Sequence, residues 1–187
     1  MDKKSSPQLE DDQKERISLL IEHRIPWLFV GLIGGIAAAI FASQFEKILA
    51  NNLSLAYFIP VIVYMADAVG TQTEEVYIRN LSREKIHFFR YLMKEIVLGL
   101  FLGLIFGICF GIFALIWFKS ASIALTVGFA VFASMAIAPA IALIMPTILQ
   151  KEHKDPALGS GPFTTVVQDL ISLSIYFLLA SVIIFRG

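Results

Sequence analysis

The chain has 187 residues and a formal net charge of zero; 57% of its residues are hydrophobic and only 16% are charged, against about 25% charged in an ordinary soluble domain. So little polar surface cannot coat a soluble protein, and a balanced charge supplies no field that would draw in nucleic acid. Both classes are set aside.

The charges that exist are confined to a few segments. The intervals 25–45, 48–66, 96–118 and 120–150 contain no charged residue, and 156–185 contains a single one, Asp169. A bilayer core about 30 Å thick needs roughly 20 apolar residues per helix. Five intervals therefore predict five transmembrane helices and an all-α integral membrane protein. An odd number of spans, with no internal repeat, argues against a simple duplicated transporter.

Residues 1–24 read as a polar tail in which Leu9, Arg16 and Leu20 suit at most a short surface helix; no signal peptide is expected there. The first span is predicted at 25–45. Gly31 and Gly35, continuing to Ala39 and Ser43, form a small-residue stripe along it, the kind of stripe that lets helix backbones approach closely.

The second span, 53–78, turns polar toward one end. Asp67, Thr71, Glu74 and Ile78 share a helical face, with Pro60 and Tyr64 a turn or two before. Asp67, Thr71 and Glu74 are candidate ion-pathway groups, because charge at membrane depth marks function by default. Pro60 and Gly70 are expected to interrupt the helix and free backbone carbonyls, which is tolerated only along a cavity. Glu75 is expected to pair with Arg79, four residues on.

A charged connection, Arg79 to Tyr91, leads to the third span at 92–118. Gly99, Gly103, Gly107 and Gly111 recur there every four residues, and Ala130, Ser134, Ala138 and Ala142 do the same on the fourth span, 122–149. Both stripes are expected to be packing faces within the bundle. Cys109, the single cysteine, can form no intrachain disulfide.

The stretch from Asp155 to Pro162 is rich in glycine and proline and reads as an extended approach to the last span, 162–185. Asp155 would stand at its mouth. On helical spacing Pro162, Thr165, Asp169, Ser172 and Tyr176 share a polar face, which makes Asp169 the leading candidate ligand. The candidates are hard oxygen donors without a Cys or His cluster, and these suit Mg²⁺ or Ca²⁺ better than zinc or copper. No nucleophile–base pair, phosphate loop or dinucleotide fingerprint is present, so no enzyme is expected.

Orientation follows from the basic residues. With alternating spans, twelve of the fifteen Lys and Arg residues fall on one side, which places the N-terminus in the cytoplasm and the C-terminus outside. One intramembrane carboxylate and five helices make a poor closed pore, so a homodimer with Asp169 at the two-fold axis is expected.

Four stretches carry a resemblance: Arg24-Ile25-Pro26-Trp27-Leu28; Pro60 with Gly70-Thr71-Gln72 and Arg79-Asn80-Leu81; Lys94-Glu95 with the Gly99/Gly103/Gly107 stripe; and Asp155-Pro156-Ala157-Leu158 through Ser160, Pro162 and Asp169 to Tyr176. From about residue 24 onward the chain resembles the transmembrane domain of the MgtE family of Mg²⁺ transporters and channels. The resemblance implies five transmembrane helices per protomer, a homodimer in the cell membrane, and a pore at the dimer axis lined by the second and fifth spans. It implies Asp169 as the key ligand, a backbone carbonyl at Thr165 facing the ion, and Asp155 in a second, cytoplasmic-side cation site. Ala66-Asp67-Ala68 stands where the family usually has Gly-Gly-Asn, and the asparagine common near Gly161 is absent. Asp67 is thus expected to replace a neutral amide with a charge and to shift ion preference. Without the family's N-domain and CBS pair, gating is expected to differ. A carrier coupled to Na⁺ or H⁺ through the same carboxylates, and a non-transporting membrane subunit, are the alternatives.

Overall fold

The structure is a computed structural model that describes residues 16–81, 87–152 and 156–185. Among these, every element is helical: α1 (Ile17–Ser43), α2 (Glu46–Asn51), a 3₁₀ segment (Leu53–Phe58), α3 (Ile59–Leu81), α4 (Phe88–Phe118), α5 (Ala121–Lys151) and α6 (Pro156–Phe185). Five segments are long and apolar enough to cross a membrane: Ile17–Ser43, Leu53–Leu81, Phe88–Phe118, Ala121–Lys151 and Ser160–Ile184. The five-span expectation is met, with α1 starting inside the stretch read as a tail.

α4 and α5 form a tight hairpin. Lys119 closes α4 in a left-handed conformation (φ 51°), and the Ser120 hydroxyl accepts from the Ile123 N–H to start α5. The two helices then lie backbone to backbone along the glycine stripe. A Cβ at Gly99 would sit 2.8 Å from the Met135 carbonyl oxygen, at Gly103 2.6 Å from that of Phe132, and at Gly107 2.7 Å from that of Gly128. Pro139 has no N–H to give the Met135 carbonyl, so the carbonyl over Gly99 is one that its own helix leaves free. The small residues Ala130, Ser134, Ala138 and Ala142 of α5 are all buried too, but the α4 glycines meet Gly128, Phe132 and Met135 instead.

α5 is the hub, packing on α4, α6 and α3, whereas α1 packs chiefly on α6. The core gathers Leu55, Ile62, Val69, Val127, Val131, Met135 and Phe177. The Phe45 ring stacks on that of Phe177 with centroids 4.3 Å apart, and the Tyr176 hydroxyl donates to the Leu55 carbonyl at 2.7 Å. Outside this core the surface is apolar: Leu28, Phe29, Ile33, Phe101, Ile105 and Trp117 are exposed, as a lipid solvent requires.

Three expectations are corrected. α3 runs unbroken through Gly70, with Pro60 in its first turn. There the missing N–H breaks no bond, so neither residue frees carbonyls at mid-helix. The approach to the last span is helical from Pro156 rather than extended. At membrane depth the backbone must satisfy its own polar groups, and Pro156 suits the first helical position. On α1 the packing glycine is Gly34, whose added Cβ would fall into Val166 of α6; Gly35 has nothing within 4 Å, and Gly31 touches Pro162 only at 3.9 Å.

Candidate ion pathway

The polar residues of α3 and α6 meet along one seam. The Thr165 hydroxyl donates to Asp67 Oδ1 at 3.0 Å, and two turns further along α3 the Ser160 hydroxyl donates to Glu74 Oε1 at 2.5 Å. Asp67 and Glu74 stand seven residues apart, close to two full turns, and so share one face of α3. Asp169 stands one turn along α6 from Thr165, whose hydroxyl holds Asp67. Glu74, Asp67 and Asp169 thus form an acidic column along the seam.

A cavity of about 420 Å³ opens beside this column, lined by Thr71, Glu74, Glu75, Ile78, Arg79, Ser160, Gly161 and Thr165. Thr71 and Glu75 are exposed, while Glu74 is buried. Glu75 and Arg79, expected to pair, both line this cavity. Asp169 is half-buried, and its Oδ1 is enclosed without a hydrogen-bond partner among the described residues. A carboxylate oxygen shut away from water and from donors is unfavourable by roughly 1–3 kcal/mol or more, so this atom is suited to a cation or its water.

Of the six candidate residues, the structure brings Asp67, Thr71, Glu74, Thr165 and Asp169 to the one seam; Asp155 lies outside the described residues. The polar face expected on α6 is split. Thr165 and Asp169 stay at the seam, but Ser172 and Tyr176 are buried inside the helix bundle. There the Tyr176 hydroxyl finds a backbone partner, which makes it a structural group.

Three polar residues were not among the candidates. Ser160 fixes the Glu74 carboxylate. Gln168, 1% exposed, donates through Nε2 to the Ala138 carbonyl at 3.3 Å. Glu95 of α4 is buried and accepts from the Thr73 hydroxyl at 3.0 Å. Its signal was in the sequence: position 95 continues the glycine stripe 99, 103, 107 by one turn toward the N-terminus, so it lies on the packed face. No group of three or more His, Cys, Asp or Glu side chains converges as a metal cage among the described residues. The described donors are carboxylates and hydroxyls spaced along a path, an arrangement that suits a cation keeping its waters.

Comparison with known proteins places these features in a family. The family model "MgtE: Divalent cation transporter" matches residues 59–179. The chain is 34% identical over 164 residues to the magnesium transporter MgtE of Bacillus subtilis (strain 168), which covers 86% of this chain and 36% of that protein. It is 31% identical over 161 residues to that of Enterococcus faecalis (84% and 36%), and 25% identical over 164 residues to that of Thermus thermophilus (86% and 36%). The chain thus spans about a third of the length of these relatives.

Proposed function

The chain belongs to the MgtE divalent cation transporter family, and from that premise we propose that it carries Mg²⁺ across the cell membrane along the α3–α6 seam. The observation that carries this reading is the acidic column Glu74–Asp67–Asp169, with Ser160 and Thr165 holding two of its carboxylates in place. Such a column is expensive against lipid. A second copy of the chain, related by a two-fold axis, covers the seam and sets the two Asp169 carboxylates across a shared path. The hydroxyls and carboxylates then accept hydrogen bonds from the waters of a hydrated Mg²⁺, an ion that dehydrates reluctantly. The relatives are named as magnesium transporters, and the hard oxygen donors of the seam agree with that cargo.

Flux into vesicles tests this. Purified protein in liposomes is expected to pass Mg²⁺ down its own gradient, with no Na⁺ or pH gradient imposed, and Mn²⁺ or Co²⁺ is expected to compete. Flux that appears only with a Na⁺ or pH gradient would replace the passive pathway by a coupled carrier. No flux at all would leave the carboxylates a structural role.

Orientation is the second expected result. Twelve of fifteen basic side chains on one face put the N-terminus in the cytoplasm. Thiol labelling of Ser5→Cys and Gly187→Cys, each in a Cys109→Ser background, should find them on opposite faces. Labelling from the same face would remove the five-span topology.

A further inference from the structure

Gln168 occupies the point where three of the spans meet. Its Nε2 donates to the Ala138 carbonyl of α5. On its other side the amide lies against Gly70 of α3, so closely that a Cβ added at position 70 would fall within it. Its Oε1 is enclosed without a partner, as is Asp169 Oδ1 on the next residue. A leucine would fill similar space without burying an unsatisfied oxygen. Packing alone therefore does not account for the amide, whereas a fixed helix rotation does. Neighbouring residues on a helix point about 100° apart, so clamping residue 168 between α3 and α5 dictates where residue 169 points.

The geometry points to Gln168 as a positioning residue for the ion pathway: wedged between Gly70 and the Ala138 carbonyl, it sets the rotation of α6 and thereby aims the Asp169 carboxylate along the seam toward Asp67. Gly70 is the other half of this device. Its lack of a Cβ is required not by backbone conformation, since α3 is regular there, but by the Gln168 amide that fills the space. The ion-related arm of this inference rests on the transport reading above; the rotational arm does not.

The test uses Gly70→Ala, Gln168→Ala and the double variant, each on the full chain. In a Cys109→Ser, Asp169→Cys background, a water-soluble thiol reagent reads whether position 169 faces the hydrated seam. The parent is expected to react readily, each single variant on the order of tenfold more slowly, and the double variant at close to the parent rate, because the added methyl occupies the volume vacated by the amide. With Asp169 intact, the KM for Mg²⁺ in vesicles should follow the same order, rising on the order of tenfold in the singles and recovering in the double, with the maximal rate changed less. An unreactive parent thiol, single variants that match the parent, or a double variant no better than its worse single would each overturn the wedge. If Gly70→Ala fails to fold, the Gln168→Ala arm decides alone: parent-like reactivity and KM overturn the inference. Absence of Mg²⁺ flux in the wild type, with reactivities in the expected order, would sink the transport reading and leave the positioning role standing.

Discussion

Asp169→Asn is expected to leave a folded dimer and to remove most Mg²⁺ flux. Asp169 is the one charge between Asp155 and Arg186, and its Oδ1 has no partner among the described residues. A second Asp169 across a two-fold axis would add like-charge repulsion, which a divalent cation with its waters relieves for both copies. A charge-assisted contact is worth roughly 1.5–3 kcal/mol, so losing it weakens ion affinity by roughly ten- to hundredfold per copy. The same change should appear without transport. An ion at 100 times its Kd stabilises the state it binds by about 2.7 kcal/mol, a rise in melting temperature of roughly 5–10 °C for a chain of this size. Wild-type protein titrated with Mg²⁺ should show that rise and Asp169→Asn should not. A mutant that conducts and keeps the shift would transfer the ligand role to Asp67 and Glu74.

Gly103→Leu is expected to be the most damaging single change to the fold. A Cβ there would stand 2.6 Å from the Phe132 carbonyl oxygen, and the flanking Gly99 and Gly107 allow comparably close approaches. The obstacle is backbone, which cannot turn aside as a flexible side chain could, so α4 must lift off α5 over several turns. Overpacking of a well-filled core is unfavourable by roughly 1–3 kcal/mol; a larger loss is expected because the α4–α5 contact is the most extensive in the molecule. Gly111→Ala is the matched control, since its added methyl would meet the Ala124 carbonyl at 3.4 Å. Thermal unfolding in detergent should separate the two variants widely. Similar melting points for both would show that the stripe is not held at backbone distance.

The spans could be read from the sequence because the bilayer sets a length and forbids charge, and both constraints leave unbroken apolar runs. The α4 stripe was legible for a similar reason, as four glycines at four-residue spacing have few other uses. The α1 stripe was misread because spacing identifies a face only up to its neighbour: Gly34 and Gly35 point about 100° apart, and the position of Val166 decides between them. The start of α6 was misread because proline and glycine punctuate chains in water, where freed backbone groups can be solvated. The pathway itself was half visible. Intramembrane carboxylates announce themselves, so Asp67, Glu74 and Asp169 stood out, but Ser160, which donates to Glu74, and Gln168, which donates to the Ala138 carbonyl, are ordinary residues whose contacts exist only across helices. The polar face of α6 divided because that helix is packed by α1, α3 and α5, so Tyr176 could find its partner inward, at Leu55.

On the proposed pathway a divalent cation passes between the Asp169 carboxylates of two protomers. A structure of the protein soaked in Mn²⁺, with an anomalous difference map, tests it most directly. A peak is expected on the two-fold axis level with Asp169, at direct-ligand distance or about 4 Å away through a water shell. A protein with demonstrated flux whose peaks all lie away from Asp169, or whose two copies do not face each other across the α3–α6 seam, would contradict it.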